Sequence, residues 1–547
     1  MNGVLQNVQI GAPTELLLHT IDIGMLVTPR DGFTFQNESK YHAEYFQQAP
    51  ISRLIVTEYE PIFFEKVVLP DGTVYTDASV DDGGGHSGDM RQRIGKELIS
   101  IGINHANYGI HSTTGPSERS PYSCAQITAH NSRGKYQNGI RNHGWSGGGS
   151  IVTLYASTGN EFSHELGHNF GVGHYPNGFS GSVHRSSEYL GSTWGWDSVK
   201  NVFVPNFDKV ISGEPSCVDG SCQAPFLGHQ FGYDAMAGGQ PFYDSTNSFT
   251  LHTLYSLKKI QQFLEAKAVF DPTSTTGMRI WSDECNCMQE WGPQPTWAPE
   301  VKATPTQCSS VDSMEGLLSQ YSNIQINFYN GYWTRNIYLP AATPSYVGKV
   351  IHIVHEAGWY SNVHLGTSKT IKVRNGEELI FIGTEEAGNN FLEGNYWEQL
   401  PNYTWEQADS LPSGKLDVDD DVPRTPAVQG IPVTTLVGYY DPEAILDSYI
   451  YPALHGSYGN TFPEDSEEEI MNSKCFATIT NSDQDTLKYA LKGERKQDDN
   501  MNKFHINVAE SFEPKSISIQ CNESKLTETD ITGPTRTLSY TVNGRPL

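Results

Sequence analysis

The stretch 161–175 reads EFSHELGHNFGVGHY. Inside it lies the pattern HExxHxxGxxH, with histidines at His164, His168 and His174. His164 and His168 are four positions apart, so on a helix they lie on one face, one turn apart. Gly171 can take backbone angles that other residues avoid, so the chain turns sharply there and His174 returns from outside the helix. The pattern predicts a metal-binding helix followed by a tight turn.

The residue types in this pattern are those of a catalytic zinc site. Three protein ligands leave one position of a tetrahedral zinc ion open for water, which is typical of catalytic rather than structural sites. Glu165 follows the first histidine and can reach that water as a general base. A structural site would need a fourth protein ligand, and nothing in the spacing of the neighbouring His184 requires it to be one. We therefore expect one catalytic Zn²⁺ ion, bound by the three histidines.

Length and composition limit the classes of function that fit this chain. Its 547 residues are 37% hydrophobic, which suits a folded protein of roughly three or four domains. The net charge of −27 argues against a nucleic-acid partner and against an anionic membrane surface. No apolar stretch approaches the length of a transmembrane helix. The N-terminal residues lack a signal-peptide pattern, so the chain is either cytosolic or a mature or trimmed piece.

Local patterns ahead of the motif predict an α+β catalytic domain. Residues 15–28 and 53–58 read as apolar strands, and apolar residues recur at three- and four-residue steps over 90–101, which indicates a helix. A glycine-rich turn then leads into a strand over 151–155, and the zinc helix starts near residue 160. This order predicts a mixed sheet packed against two helices.

The strand directly before the zinc helix has a predicted role in substrate binding. An extended peptide can add to an exposed sheet edge through main-chain hydrogen bonds. We expect this strand to form such an edge, with Ile151 and Val152 as substrate-binding residues, although it can also serve as ordinary core.

Met236 has a predicted place beneath the metal. It lies in the sequence GHQFGYDAMAGG, where small residues on both sides indicate a tight turn. In zinc proteases with the extended motif a Met turn lies under the metal ligands, and Met236 fits that role by packing.

Composition shifts divide the chain further. Strand-like segments separated by Gly, Asn and Pro turns dominate its second half and indicate β-sandwich-like domains. An aspartate-rich run over 417–421 is more consistent with a solvated loop than with a calcium site. We expect a catalytic domain over 1–271, a linker or small irregular subdomain over 272–322, a β-rich domain over 323–408, an acidic linker over 409–430 and a β-rich C-terminal domain over 431–547.

Two cysteine pairs are disulfide candidates. Cys217 and Cys222 bracket a short VDGS loop, which suits a local bridge. Cys475 and Cys521 lie in strand-like segments and can bridge two strands. Disulfides fit better than reduced core thiols, because a chain with this protease motif is often extracellular.

The other four cysteines allow more than one arrangement. Cys285 and Cys287 are too close in sequence to pair comfortably with each other, and either can pair with Cys308. The alternative is a thiolate zinc site formed by these three residues. Cys124 is then left over.

Longer segments resemble the StcE/TagA family of secreted bacterial zinc metalloproteases, which cleave mucins and other heavily O-glycosylated proteins. The resemblance extends from about residue 15 to 507. It is carried by ELLLHTIDIGML, HSGDMRQRIGKELIS, GNEFSHELGHNFGVGHY, GSVHRS, STWGWD, FGYDAMAGG, NGYWTRNIYLP, PVTTLVGYYDPE, SYIYPALHGSYG and MNKFHINV. It implies a metzincin-type catalytic domain with appended β-domains, secretion and a glycoprotein substrate.

The resemblance also implies roles for single residues. The three motif histidines match the zinc ligands, Glu165 the general base and Met236 the Met turn. Tyr175 follows the last histidine, as in relatives. His86 lies in a loop where relatives contact substrate, and the residue before it, Gly85, stands where relatives carry a tryptophan.

From these observations we expect a secreted, monomeric zinc metalloendopeptidase that cuts the peptide backbone of mucin-type glycoproteins. The candidates for contact with sugar, through aromatic faces or imidazole hydrogen bonds, are His86, Trp145, Tyr175, Trp194 and Trp196. One alternative is a mucin-binding adhesin with a vestigial protease domain, and the intact metal-ligand set argues against it. A second is a glycoside hydrolase, which would use a pair of carboxylates that the sequence does not reveal.

Overall fold

The structure of the protein is a computed structural model. It describes residues 11–30, 32–114, 123–241, 247–292, 297–298, 301–346, 349–366, 370–384, 396–399, 415–416, 423–495 and 499–547. The chain forms two compact units, Met1–Gly292 together with Asp421–Leu547, and Pro293–Asp420. Among the described residues, no helix is long and apolar enough to cross a membrane.

A nine-stranded mixed sheet organises the first unit. Its strands are β1 Glu15–Met25, β2 Arg53–Glu58, β3 Ile62–Phe64, β4 Gln126–Tyr136, β5 Gly139–Asn142, β6 Ser146–Gly148, β7 Ile151–Thr153, β8 Tyr540–Val542 and β9 Arg545–Pro546. They run in the spatial order β9-β8-β2-β1-β4-β7-β6, with β3 also paired to β1 and β5 to β4. The central strand β1 is buried along its whole length, including its polar residues Glu15, His19, Thr20 and Asp22.

Eight α-helices surround the sheets of the two units in the described chain. A ten-residue π-helix, Arg91–Ser100, continues directly into α3 and confirms the predicted helix ahead of the motif. The helix that carries the motif is α4, and Gly171 beyond its end has φ +74°, the left-handed conformation that its place in the pattern predicts. The helices are α1 Thr34–Asn37, α2 Ser39–Gln48, α3 Ile101–Tyr108, α4 Asn160–Asn169, α5 Phe179–Ser182, α6 Leu254–Glu265, α7 Val311–Gln320 and α8 Glu467–Ser473.

The two faces of the sheet bury different sets of side chains, since successive residues of a strand point to opposite faces. On one face Leu18 and Val152 pack against Phe162 and Leu166 of α4. The other face, which includes Ile23, packs on the π-helix and α3. This α+β arrangement of a mixed sheet with helices agrees with the fold expected from the order of elements.

The C-terminal residues form two further sheets whose shared core includes Leu436 and Ile517. One sheet contains Val428–Tyr440, Tyr449–Ile450, Leu454–Thr461, Asn502–Ala509 and the distant strand Ser112–Thr113; the other contains Cys475–Asn481, Thr486–Leu491, Pro514–Cys521 and Ser524–Asp530.

The sequence pattern separates residues 431–547 as a domain of their own, whereas the structure groups them with the first unit. The physical reason is long-range pairing. Strand β8 is antiparallel to β2 in the central sheet, and Ser112–Thr113 pairs with Asn502–Ala509. Local sequence patterns carry no signal for such contacts.

The second unit has a five-stranded and a three-stranded sheet around one apolar core that includes Ile326, Ile353 and Val363, and a further two-stranded sheet of Trp297–Ala298 and Lys415–Leu416. The predicted acidic run 417–421 lies outside the described residues. The strands of this unit are Trp297–Ala298, Val301–Ala303, Asn323–Phe328, Asn336–Leu339, Val350–His355, Ser361–Leu365, Thr370–Val373, Glu377–Thr384, Tyr396–Gln399 and Lys415–Leu416.

Short hairpins complete the first unit, and two disulfides follow the predicted pairing, Cys217–Cys222 and Cys475–Cys521. The remaining strands are Val67–Val68, Val74–Tyr75, Gly195–Asp197, Val202–Val204, Phe207–Ile211, Ser216–Val218, Ser221–Gln223, His229–Phe231, Val269–Phe270, Met278–Ser282 and Cys287–Glu290.

One expectation about the cysteines is wrong. Cys285 and Cys287 are bonded to each other, with their Cα atoms 5.2 Å apart, although only one residue separates them. That residue, Asn286, has φ +50°, and its left-handed backbone turns the two side chains toward each other. Cys308 and Cys124 are buried free thiols, so the thiolate zinc site considered from the sequence does not form.

Candidate metal centre and active site

Helix α4 and the turn after it bring the three motif histidines together. The Nε2 atoms of His164 and His174 are 3.0 Å apart, and the Nε2 atom of His168 is 3.1 Å from both. The first and second histidines are partly buried and the third is exposed, so the cluster opens to solvent. Within the described ranges, no other group of three or more His, Cys, Asp or Glu side chains has the geometry to hold a metal ion.

The protonation of this cluster fits a metal ion. The Nδ1 atom of His164 donates to the carbonyl oxygen of Ala235 at 2.8 Å, which leaves a lone pair on its Nε2 atom. Burial, together with the other two imidazoles, lowers the pKa of His168 to about 3, and burial also lowers the pKa of His174. Neutral rings with converging lone pairs repel one another unless a cation lies between them. Tetrahedral zinc holds nitrogen ligands about 3.3 Å apart, close to the observed spacing.

Glu165 lies on the same helix and is only 6% exposed. Burial raises the pKa of its carboxyl group to about 8, with Glu161 adding to the shift and Arg91 opposing it. A cation held by the adjacent histidines would lower that pKa again, because an opposite charge favours the carboxylate. The residue predicted as general base is therefore buried next in sequence to the first histidine of the cluster.

Met236 lies in a buried 3₁₀ turn against the underside of α4. A Cβ atom built on Gly167 would be 2.3 Å from its sulfur, so the thioether packs directly on the helix backbone. The side chain of Asp234 accepts from the Met236 amide at 2.9 Å and fixes the turn. The turn supplies the Ala235 carbonyl that orients His164, and the Met236 carbonyl accepts from the amide of Tyr175 at 3.1 Å. This geometry agrees with a supporting turn beneath the ligands.

The free edge of the sheet differs from the one predicted. Ile151 and Val152 are buried in the interior strand β7, which is parallel to β4 on one side and antiparallel to β6 on the other. The outer strand is β6, which has no further partner strand in the described chain. The sequence SGGG predicts a turn rather than this strand, because glycine has a low strand propensity. A Cβ atom on Gly147 would be 2.0 Å from the carbonyl oxygen of Glu165, so β6 touches the backbone of α4.

The predicted sugar-contacting residues are all exposed. Tyr175 is 58% exposed and takes the left-handed conformation, with φ +49°, directly after the third histidine. Trp145 immediately precedes β6, is 49% exposed, and its ring centroid lies 5.6 Å from that of His86. Sequence reasoning gave no role to Glu161, although it opens the motif stretch, because an acidic residue in a first helical turn is ordinary.

Family comparisons match three parts of the chain. The Peptidase M66 family matches residues 1–269. The beta-sandwich domain of metalloprotease StcE matches residues 321–389, and the ToxR activated gene A lipoprotein domain matches residues 424–521.

Individual relatives extend these matches. The chain is 45% identical to metalloprotease StcE of Escherichia coli O157:H7 over 548 residues, which cover 100% of this chain and 58% of that protein. It is 42% identical to the ToxR-activated gene A lipoprotein of Vibrio cholerae serotype O1 over 277 residues, 49% of this chain and 27% of that protein. It is 26% identical to dictomallein of Burkholderia mallei over 171 residues, 31% of this chain and 25% of that protein. The chain thus spans less than two thirds of the length of each relative.

Proposed function

This chain belongs to the StcE/TagA family, and we propose that it is a secreted, zinc-dependent endopeptidase. The proposed reaction is hydrolysis of the peptide backbone of mucins and other O-glycosylated proteins. The observation that carries the proposal is the convergence of three histidine Nε2 atoms, 3.0 to 3.1 Å apart, beside Glu165. A metzincin-type catalytic domain, with the Met236 turn beneath the ligands, is part of the same proposal.

The zinc ligands in this proposal are His164, His168 and His174. Zinc bound there supplies Lewis acidity, which lowers the pKa of water and polarises a peptide carbonyl. The hydrogen bond to Ala235 keeps His164 in the tautomer with a free Nε2 lone pair. Glu165 takes a proton from the attacking water on its carboxylate and passes it to the nitrogen of the leaving amine.

Substrate alignment is proposed to depend on the free edge strand β6. An extended peptide that pairs with Ser146–Gly148 would run beside the helix that bears Glu165, since Gly147 touches that residue's backbone. His86, Trp145 and Tyr175 border this region as exposed rings, and they are the proposed contacts for the substrate's sugars. The proposed enzyme is a monomer.

The test is cleavage of an O-glycosylated mucin by the full chain, with and without a zinc chelator, beside Glu165→Ala. We expect peptide-backbone fragments from the untreated protein, and none in the presence of the chelator or with the variant. Glu468→Ala is the matched control, because Glu468 is exposed on α8 and should retain full activity.

Two results would contradict the proposal. Sugars released from an intact backbone would indicate a glycoside hydrolase. Binding without cleavage, unchanged by the chelator and by Glu165→Ala, would indicate an adhesin.

A further inference from the structure

The carboxylate of Glu161, in the first turn of α4, accepts hydrogen bonds from two other segments of the chain. Its Oε1 atom accepts from the backbone amides of Trp145 at 2.8 Å and Tyr155 at 2.6 Å. Its Oε2 atom accepts from the backbone amide of Ala156. None of these donors belongs to α4, and the helix start has no side-chain cap, so the carboxylate joins other segments to the helix rather than capping it.

The loops held in this way carry a row of stacked side chains. The rings of Trp145 and Tyr155 are nearly parallel, 15° apart, with centroids separated by 5.0 Å. Since carbon atoms in contact are about 3.5 to 4.0 Å apart, the stack is offset and leaves part of the indole face open. The guanidinium of Arg30 covers the Tyr155 ring at 5.1 Å, and its Nη1 atom donates to the Tyr155 carbonyl.

The Trp145 ring also lies against Gly85. A Cβ atom built on Gly85 would be 2.4 Å from indole Cζ3, so any side chain there would displace the ring. The amide of Gly144 donates to the Gly85 carbonyl at 3.1 Å and joins the two loops. The Trp145 backbone has φ +56°, an unusual conformation for a bulky residue, which persists only where surrounding contacts determine it.

We propose that Glu161 is a positioning residue for substrate binding. Its three hydrogen bonds from backbone amides fix the Trp145 ring beside β6, at a set distance from the metal-ligand helix. The indole face then receives a sugar attached next to the scissile bond. This inference rests on the proposed function. A fixed spacing matters because the sugar and the peptide bond beside it must be bound at the same time. Hydrogen bonds from amides to a carboxylate suit this role, because they are shorter and stronger than those to a neutral acceptor.

The test measures binding separately from cleavage. In a Glu165→Ala background, which does not turn over substrate, calorimetry gives the Kd for an O-glycosylated peptide and for the same peptide without sugar. We expect Glu161→Gln to weaken binding of the glycosylated peptide about tenfold, as expected for losing a hydrogen bond to a charged acceptor. Binding of the bare peptide and zinc content should change little. Cleavage by Glu161→Gln with Glu165 intact should show a raised KM with a nearly unchanged kcat.

A double-variant comparison separates positioning from a merely structural role. If Glu161 acts through Trp145, then Glu161→Gln should have no further effect on the Kd once Trp145→Ala is present. Gly85→Ala should also weaken binding, and Trp145→Ala should again remove its effect. A lowered melting temperature with unchanged Kd, or additive effects, would overturn the proposal.

The outcomes for the two proposals remain distinguishable. A parent protein that binds the glycopeptide but never cleaves it contradicts the peptidase function and leaves the Glu161 comparison measurable. A parent that binds glycosylated and bare peptide equally overturns the sugar contact at Trp145, whatever the cleavage result.

Discussion

Gly147→Ala should disable the site without touching a metal ligand. The Cβ atom of alanine would be 2.0 Å from the carbonyl oxygen, 2.6 Å from the carbonyl carbon and 2.8 Å from the Cα atom of Glu165. All three atoms belong to the helix backbone, so no side-chain rotation relieves the contact. Helix α4 is held from below by Met236, which packs on Gly167. The strand β6 must therefore move outward.

The size of the movement sets the expected loss. Contacts below 3.0 Å are essentially absent from real structures, so the strand must shift by about 1 Å. A displacement of about 1 Å can cost on the order of 100-fold in rate. We therefore expect kcat/KM on an O-glycosylated protein to fall about 100-fold, equivalent to about 2.7 kcal/mol of transition-state stabilisation.

Gly173→Ala is the matched control within the same motif. No atom lies within 4 Å of a Cβ atom at Gly173, and its backbone is not left-handed, so this variant should keep its activity. Zinc content and melting temperature of both variants show whether the fold and the metal site persist. A Gly147→Ala enzyme that retains zinc and cleaves within threefold of the parent would refute the role of β6 in aligning substrate.

Disulfide loss, pH and zinc should each change stability in a direction that follows from the structure. Replacing Cys475 and Cys521, which are 46 positions apart, by serine should lower the free energy of unfolding by about 4 kcal/mol. The same change at Cys217 and Cys222, five positions apart, should lower it by about 2 kcal/mol, because the loop that the bond closes is shorter. Equal losses in urea unfolding would contradict this reasoning from loop entropy. Burial raises the pKa of Glu15 from 4.5 to about 7, so between these values the folded chain holds a proton that the unfolded chain has released. The free energy of unfolding should therefore fall by about 3 kcal/mol as pH rises through this window. Urea unfolding at about pH 5 and about pH 8 measures this fall, and Glu15→Gln should remove it. Zinc at 100 times its Kd should stabilise the fold by about 2.7 kcal/mol, and an unchanged melting temperature would argue against the metal site.

The histidine cluster was predictable because its information is local. The four-residue spacing of His164 and His168 indicates a helix, and Gly171 indicates its end and a turn. Strand β1 was also predictable, since its apolar residues at 16–18, 21, 23 and 25 outnumber the polar ones, as is common in a buried parallel strand.

The features that the sequence did not reveal depend on distant backbone. Strand β6 consists mainly of glycine, which lowers strand propensity, and it exists because β7 and α4 lie against it. Glu161 accepts hydrogen bonds from the backbone amides of Trp145, Tyr155 and Ala156. Nearly every residue type has a backbone amide, so the sequence does not show which ones will donate. The Cys285–Cys287 bond depends on a single left-handed residue that no spacing rule indicates.

The pairing of β8 with β2 determines when this protein can finish folding. The two strands are far apart in the sequence, yet they are neighbours in the sheet that supports the histidine cluster. Contacts of such high sequence separation form slowly, because the intervening chain must be ordered first. During synthesis β8 is made long after β2, so β2 lacks this partner until residues 540–542 have emerged. The sheet beneath the histidines therefore gains its full stability long after its central strands have been made.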